Sequence, residues 1–291
     1  MACVTEKSNR GDEPVDHSEA DVPAPVVEVL RFLRRLGIEL VRHYHRLQVT
    51  VDAPLPDRPC LVVGNHGFGG IIDLNVFAVL GILDQLSTTR PVTVLTHQLA
   101  WTLRVGPLLE SLGSRPASRA SATEAFAAGH HVLVFPGGDV EASKPWRRRH
   151  RVTFAGRTGF AAMAIQADVP IVPIVTVGAG STLFVLTDGQ PLARRLGLDR
   201  LLRYKVLPVS ISIPWGLNVG LVGLLPYLPL PAKLRSRVLP AMEPDEGESA
   251  AAFAVRVEAA MQSAMGELVR ANRDGAGRSE TEHTSHERER P

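Results

Sequence analysis

Five short runs rich in β-branched residues, separated by helical patterns, are the feature that most constrains how this chain can fold. The runs are CLVV at 60–63, VTVLT at 92–96, HVLVF at 131–135, IVPIVTV at 171–177 and VLPVSISI at 206–213. The helical patterns lie at 74–86, 98–112, 119–128 and 157–167. Largely apolar strands that alternate with helices indicate a parallel or mixed sheet covered by helices on both faces. We therefore predict an α/β fold in a single domain.

The two ends of the chain lack this pattern. Residues 1–22 and 271–291 are polar and without periodicity, which predicts disordered tails around a domain at 23–270. No apolar leader or continuous spanning segment is visible, so we expect neither a signal peptide nor a transmembrane helix. Cys3 and Cys60 are not expected to pair, which favours a cytoplasmic location. The net charge of +2 gives no indication of nucleic-acid binding, and nothing indicates an oligomeric state.

Two segments suggest contact with lipid. The amphipathic helix predicted at 25–47 carries several arginines, so it either packs on the domain surface or lies on an anionic membrane. The uncharged stretch PWGLNVGLVGLLPYLPLPA at 214–232 is interrupted by prolines, which prevents a regular spanning helix. It is expected to form a loop over the core, a surface that dips into lipid, or the lining of an acyl-chain channel.

The stretch VVGNHGFGGIID at 62–73 places a histidine at the end of an apolar run, where open α/β folds have their sites. Glycines after His66 allow a ligand to approach the backbone closely. Asp73 follows within reach, and a carboxylate that accepts from one imidazole nitrogen raises the basicity of the other. His66 therefore has the features of a general base. The chain has no GxSxG motif, so acyl transfer through a serine intermediate is not indicated. No second histidine lies at metal-ligand spacing, so we predict no metal.

Two further stretches follow strand-like runs. FPGGDVE at 135–141 combines a Pro-Gly-Gly turn with the carboxylates of Asp139 and Glu141, which are either substrate contacts or solvated acids. KPWRRRHR at 144–151 is either a solvated loop or a site for phosphate groups, which arginine suits. In the strand-like run VPIVPIV at 169–175, Pro170 and Pro173 predict an edge strand or a bend.

In order along the chain, NHGFGGIID, Leu112-Gly113 with SRPASRASATEAFAAG, FPGGDVE, GRTGFAAMAI and VPIVP resemble the glycerolipid acyltransferase superfamily over about 60–178. The likeness is to the branch with monoacylglycerol and diacylglycerol acyltransferase-like proteins. A looser likeness continues to LPYLPLPAK at 225–233. The combination of FPGGDVE with VPIVP is more specific than any one motif.

This resemblance implies transfer of an acyl group from acyl-coenzyme A or acyl carrier protein, as cosubstrate, to a lipid hydroxyl. The implied catalytic pair is His66 as base and Asp73 as its orienting carboxylate, with no bound cofactor. The enzyme would be peripheral or monotopic on the cytoplasmic face of a membrane. The residues then expected to contact substrates are Asn65, Gly67, Gly69, Gly70, Phe135, Pro136, Gly137, Gly138, Asp139, Glu141, Arg147, Arg148, Arg157 and Pro170.

Two departures from the family pattern affect these expectations. Six residues separate His66 from Asp73 where four are usual, so Asp139 or Glu141 remain alternative partners of the histidine. Where the family usually has the motif Phe-Pro-Glu-Gly-Thr-Arg, this chain has Gly137 in place of the Glu and Val140 in place of the Arg. Losing such a charge-assisted anchor removes about 1.5–3 kcal/mol of binding, which favours a neutral acceptor such as diacylglycerol or a long-chain alcohol. The alternatives are acylation of a lysophospholipid or glycolipid, a catalytically silent lipid-binding protein, and a soluble hydrolase.

Overall fold

The strands of the chain form two sheets. The computed structural model describes residues 22–67, 73–86, 88–96, 101, 105–197, 206–220 and 227–288, with side chains described as far as residue 272. Its strands are β1 Gln48–Val51, β2 Leu61–Gly64, β3 Val92–Thr96, β4 Ser114–Pro116, β5 His131–Val134, β6 Ile171–Val177, β7 Phe184–Thr187, β8 Val209–Ser212, β9 Gly216–Val219 and β10 Arg235–Val238. The larger sheet has seven strands in the order β1-β10-β6-β2-β5-β3-β4.

The larger sheet is mainly parallel. Every neighbouring pair in it runs parallel except β10 with β6, which is antiparallel. All residues of β2, β5 and β6 are buried, as expected for strands covered on both faces. The carboxyl ends of β2, β5 and β6 therefore lie at one edge of the sheet, where the chain turns into loops. The predicted α/β fold with a parallel or mixed sheet and flanking helices is confirmed.

Helices cover both faces of this sheet. They are α1 Ala24–Glu39, α2 Leu74–Gln85, α3 Gly106–Glu110, α4 Arg119–Ala127, α5 Gly138–Ala142, α6 Gly159–Ala167, α7 Gln190–Arg195 and α8 Ala250–Arg288. On one face, α4, α6 and α8 bury side chains such as Phe126, Phe160 and Phe253 against the strands. On the other, α1 and α2 contribute Ile38 and Ile82. Local signals start these helices: the Ser118 hydroxyl, for example, caps α4 by accepting from Ser121 N at 3.1 Å.

The two ends of the domain differ in detail from the sequence prediction. The helix predicted at 25–47 is α1 followed by a π-helical turn at Leu40–Tyr44. Helix α8 continues to Arg288, past residue 271, where the prediction begins a disordered tail. Alanine, arginine and glutamate in this stretch are good helix formers, which is consistent with its continuation. Residues 1–21 of the predicted N-terminal tail lie outside the described part of the chain.

Strand β6 lies inside the sheet, between β10 and β2, so the prediction of an edge position or bend from its prolines was wrong. Pro170 precedes the first strand residue. The Pro173 carbonyl accepts from Leu239 N at 2.9 Å, on the β10 side, and the missing N–H would point to the same side. Pro173 therefore lies at the end of the β6–β10 ladder, while the pairing of β6 with β2 continues past this residue.

The smaller sheet is an antiparallel meander of β7, β8 and β9. It contains part of the apolar stretch at 214–232 that the sequence left as a loop, a lipid-facing surface or a channel lining; residues 221–226 of that stretch are outside the described ranges. Among the helices described, none is long and apolar enough to cross a membrane.

Candidate active site

His66 lies two residues after β2, at the carboxyl edge of the parallel strands. Its Nδ1 is 2.5 Å from Asp73 Oδ2, and its side chain is 16% exposed. The Asp73 side chain is buried beside it. Of the three carboxylates that the sequence left open as partners of His66, it is Asp73 that lies at the imidazole. The intervening Gly69 and Gly70, which the sequence predicts as substrate contacts, lie outside the described residues.

Asp73 is oriented by the start of helix α2. Its Oδ1 accepts from Asn75 N at 3.0 Å and so caps the helix, while Oδ2 is left for His66. The Asn75 side chain in turn donates to Asn65 O at 2.6 Å, which joins the start of α2 to the end of β2. The carboxylate is therefore positioned by backbone geometry and not by the imidazole alone.

A buried ion pair holds the backbone of His66 from both sides. Glu141 Oε2 accepts from His66 N at 3.0 Å, and Lys144 Nζ donates to His66 O at 2.8 Å. The two side chains are 3.3 Å apart, and Glu141 also accepts from Thr153 N at 3.2 Å. Because the Glu141 side chain is fully buried and used by these bonds, it is not a substrate contact, contrary to the sequence prediction.

Asn65 is also used inside the protein. Its Nδ2 donates to Thr176 O at 3.1 Å and its Oδ1 accepts from Thr176 N at 2.8 Å, so its amide continues the pairing of β2 with β6. The residue is buried. The predicted substrate contact at Asn65 is therefore replaced by a structural role at the end of the strand.

The Pro-Gly-Gly turn after β5 lies beside His66. The Phe135 and His66 ring centroids are 4.9 Å apart, and a side chain at Gly64 would collide with Phe135. At Gly137 a Cβ atom would come within 2.2 Å of Glu141 Oε2, so only glycine fits against the ion pair. At Gly67 it would come within 2.4 Å of Ala179 Cβ, which packs the loop after β2 against the loop after β6.

The predicted arginine contacts are mostly paired. Arg157 donates to Asp139 Oδ1 at 2.6 Å and to the carbonyls of Pro136 and Gly137, so it braces the turn. Arg148 donates to Asp188 Oδ2 at 2.7 Å. The charge of each of these two guanidinium groups is therefore balanced by a carboxylate.

The structure contradicts the prediction for Pro170. It immediately precedes β6, and its carbonyl accepts from Leu61 N at the amino end of β2. From Leu61 to Gly64 the strand spans about 10 Å at about 3.3 Å per residue, and His66 follows its opposite end. A proline motif gives no information on which end of a strand it marks, and here it marks the end remote from the histidine.

Two residues around the site, Lys144 and Tyr227, were not predicted from the sequence. Lys144 was included in the basic run at 144–151, although its spacing of three from Glu141 is a signal for a helical ion pair. Tyr227 is buried, and burial raises the pKa of its phenol, which the negative charge of Asp73 raises further. Its hydroxyl therefore remains protonated near the His–Asp pair. No motif marked this tyrosine.

The arrangement is suited to proton transfer. With Nδ1 held by Asp73, Nε2 is the ring nitrogen that can take a proton from a substrate, and Asp73 stabilises the imidazolium that results. Among the described residues no group of three His, Cys, Asp or Glu side chains is placed to hold a metal ion.

Comparison with known proteins shows what the chain is similar to. A family model described as Acyltransferase matches residues 46–177. The uncharacterized proteins Rv0502 of Mycobacterium tuberculosis and Mb0514 of Mycobacterium bovis are each 29% identical over 197 residues, which is 67% of this chain and 51% of theirs. ML2427 of Mycobacterium leprae is 29% identical over 67% of this chain and 50% of its own length. The chain thus spans about half the length of these curated relatives.

Among solved structures, the 1-acyl-sn-glycerophosphate acyltransferase PlsC from Thermotoga maritima aligns with a TM-score of 0.47 and 16% identity, over 84% of this chain and 81% of that one. Fold and site together define an α/β protein with a His–Asp pair at the carboxyl edge of a mainly parallel sheet. The family model that matches residues 46–177 supports the resemblance to the glycerolipid acyltransferase superfamily seen in the sequence.

Proposed function

We propose that the protein transfers a fatty acyl group from an acyl thioester to the hydroxyl of a lipid acceptor. The observation that carries this proposal is the 2.5 Å contact between His66 Nδ1 and Asp73 Oδ2 within the acyltransferase domain. A histidine held in this way is a general base for a hydroxyl nucleophile. The donor is acyl-coenzyme A or acyl carrier protein, which acts as a cosubstrate and not as a bound cofactor.

In the proposed reaction, His66 Nε2 removes the proton of the acceptor hydroxyl as its oxygen attacks the thioester carbonyl. The tetrahedral intermediate then collapses, the ester forms, and the leaving thiolate takes the proton back from the imidazolium. Backbone amides at Gly67 and Gly137 are candidates to stabilise the oxyanion. Gly138 is not a candidate, because its N–H donates to Phe135 O at 3.2 Å.

A neutral acceptor, such as diacylglycerol or a long-chain alcohol, is part of the proposal. Gly137 and Val140 stand where the family motif has its Glu and Arg, so the usual anchor for a phosphate is missing. Arg157 reaches this turn, but its charge is balanced by Asp139 at 2.6 Å. A phosphate would have to displace that carboxylate in order to bind Arg157, whereas an uncharged headgroup would not.

Association with the cytoplasmic face of a membrane is also proposed. Helix α1 leaves Val29, Phe32 and Leu36 exposed next to arginines, a pattern that suits a helix lying on anionic lipid. Flotation of the full chain with anionic vesicles tests this, and a protein that stays wholly in the soluble fraction would contradict it.

A lysophospholipid or glycolipid acceptor is the second candidate within the same chemistry. Exposed Arg147, in the short turn at Trp146–Arg148, supports this candidate, because its guanidinium group is accessible to a charged headgroup. A soluble hydrolase would instead release free fatty acid at a rate that does not depend on added acceptor.

The acceptor is tested with radiolabelled long-chain acyl-coenzyme A offered with diacylglycerol, with lysophosphatidate or with no acceptor. We expect label in triacylglycerol. Label only in phosphatidate would retain the base but overturn the neutral acceptor. Label only in free fatty acid, unchanged by acceptor, would replace the transferase with a hydrolase. The same panel with acyl carrier protein as donor determines which thioester is used.

A further inference from the structure

In the smaller sheet, strand β8 buries polar side chains and exposes apolar ones, the reverse of the usual arrangement. In β8 the side chains of Ser210 and Ser212 are buried, whereas Ile211 between them is 47% exposed. Ile211 pairs with Phe184 of β7 on one side and with Leu217 of β9 on the other, and these are 42% and 66% exposed. Residues directly opposite each other share a face of a sheet. The face turned away from the protein is therefore the apolar one.

We call this surface the apolar face. It comprises the exposed residues Phe184, Leu186, Ile211, Leu217 and Val219, and exposed Ile213 and Leu228 adjoin it. A contiguous exposed apolar surface of this kind marks a binding site for a protein or a membrane. Other exposed apolar side chains occur within the described ranges, but these residues lie together on one sheet.

The charges around the apolar face are basic. Arg147 and Arg148 lie in a short turn whose Trp146 ring stacks on Phe184 with centroids 5.0 Å apart. Helix α7 begins three residues after β7 and ends in the exposed pair Arg194 and Arg195. In the described residues 184–197 and 206–220 the sole carboxylate is that of Asp188, which is paired with Arg148.

The apolar face is connected to the candidate active site by a short run of chain. Lys144, which donates to His66 O, is two residues before Trp146, the ring that stacks on Phe184. On the other side, Leu228 N donates to Ile213 O at 2.8 Å. Leu228 directly follows Tyr227, whose phenol has its pKa raised in part by the charge of Asp73. The apolar face is therefore joined to the residues around His66 by only a few residues of chain on either side.

We propose that the apolar face inserts into one leaflet of a bilayer containing anionic lipid, with the surrounding arginines on the headgroups. The proposal deepens the proposed function and rests on it in one respect: the lipid acceptor would reach His66 from this leaflet. A second copy of the chain is the less suitable occupant, because two-fold pairing through this face would bring the same arginines together. Anionic lipid complements them instead.

The test compares the wild-type chain with the double variant Ile211→Thr/Leu217→Thr, which retains good strand formers while removing apolar surface. Val255→Thr is the matched control, since Val255 is 70% exposed on α8, outside the apolar face. Partition onto phosphatidylcholine vesicles, with and without phosphatidylglycerol, is measured by flotation. We expect the double variant to bind anionic vesicles at least about tenfold more weakly than the wild type. The control should bind as the wild type does.

Equal binding by the wild type and the double variant would overturn the proposal and assign vesicle binding to α1 or another surface. A wild-type dimer that the double variant converts to a monomer would also overturn it, in favour of a second copy. Acyl transfer from acyl-coenzyme A to diacylglycerol dispersed in detergent is measured in parallel without vesicles. Lack of transfer by the wild type would contradict the proposed function, while the vesicle result would still decide the role of the apolar face.

Discussion

Asp73 illustrates how one residue can serve both the fold and the site. One carboxylate oxygen caps helix α2 at Asn75 N, and the other holds His66. The sequence pointed to this pair but left Asp139 and Glu141 as alternatives, because the spacing between His66 and Asp73 is longer than usual. Spacing alone does not determine whether a glycine-rich loop folds back. The helix cap decides it, since it fixes where Asp73 stands.

Asp73→Asn separates the two roles. Asparagine is as good a helix cap as aspartate, so the fold should be retained, but the amide cannot stabilise the imidazolium. We expect kcat to fall by about 10²–10⁴-fold, as for carboxylates that orient a catalytic histidine, with KM little changed. Steady-state kinetics measure this, and thermal unfolding checks the fold. An unchanged kcat would remove Asp73 from the proton transfer.

Glu141 and Lys144 are a second residue-scale feature, one that the sequence did not reveal. A carboxylate in FPGGDVE suggests a substrate contact, whereas the structure buries it against Lys144 and the backbone of His66. Glu141 and Lys144 are used in this way because the loop after β2 brings the N–H and carbonyl of His66 to this turn. That contact depends on the tertiary fold and leaves no local sequence pattern.

Glu141→Gln should lower the free energy of unfolding by about 3–5 kcal/mol, because it leaves the buried Lys144 without its counter-charge. The double variant Glu141→Gln/Lys144→Met, which removes both charges, should recover much of this loss. Denaturant titrations of the three proteins measure it. A loss of about 1 kcal/mol or less in the single variant would show that the pair behaves like an exposed one.

At the scale of elements, the strands with mainly apolar sequences in the larger sheet were predictable. The runs at 92–96 and 171–177 coincide with β3 and β6, and the run at 60–63 is within one residue of β2. The strands β1, β4, β7, β9 and β10 were missed. Three of the four residues of Arg235–Val238 are polar. The pairing of this strand with Val177–Ile174 on one side and with β1 on the other joins distant parts of the chain. Long-range pairing of this kind leaves no local pattern.

The turn between β5 and α5 gives an element-scale prediction. Gly137→Ala would place a methyl group within 2.3 Å of Glu141 Cβ and 2.6 Å of Thr153 O, which are parts of the packed site. We expect a loss of about 1–3 kcal/mol in the free energy of unfolding. Gly159→Ala at the start of α6 is the control, since nothing lies within 4 Å of its Cβ position. It should stabilise by about 0.4–1 kcal/mol, and equal effects at both sites would contradict the account.

At the scale of the whole molecule, His45 joins the first helical segment to the chain that precedes β10. Its Nδ1 bonds to Ala232 O at 3.0 Å, and its own carbonyl accepts from Leu234 N at 2.9 Å. The side chain is fully buried, and burial lowers the pKa of its imidazole below the ordinary value of 6.5, with the Ala232 carbonyl opposing the shift. The neutral imidazole is therefore the form that fits the folded state.

This shift makes stability depend on pH. Because the folded-state pKa is lowered, the unfolded chain binds more protons below about pH 6.5, so the contribution of His45 is present above that pH and is lost as pH falls. We expect the free energy of unfolding to decrease between pH 7.5 and the folded-state pKa. Denaturant titrations at several pH values should show a smaller decrease for His45→Gln. An identical decrease in both proteins would contradict the assignment.

The central claim is that His66 is the base of an acyltransferase, and it is tested most directly by replacing that residue. Wild type, His66→Ala and the exposed control Val255→Ala are compared for transfer from labelled acyl-coenzyme A to diacylglycerol, together with their affinity for the lipid. The account predicts that His66→Ala loses turnover but keeps lipid affinity, while the control keeps both. Turnover by His66→Ala at the wild-type rate, or lipid binding by the wild type without any transfer, would contradict it and favour a catalytically silent lipid-binding protein.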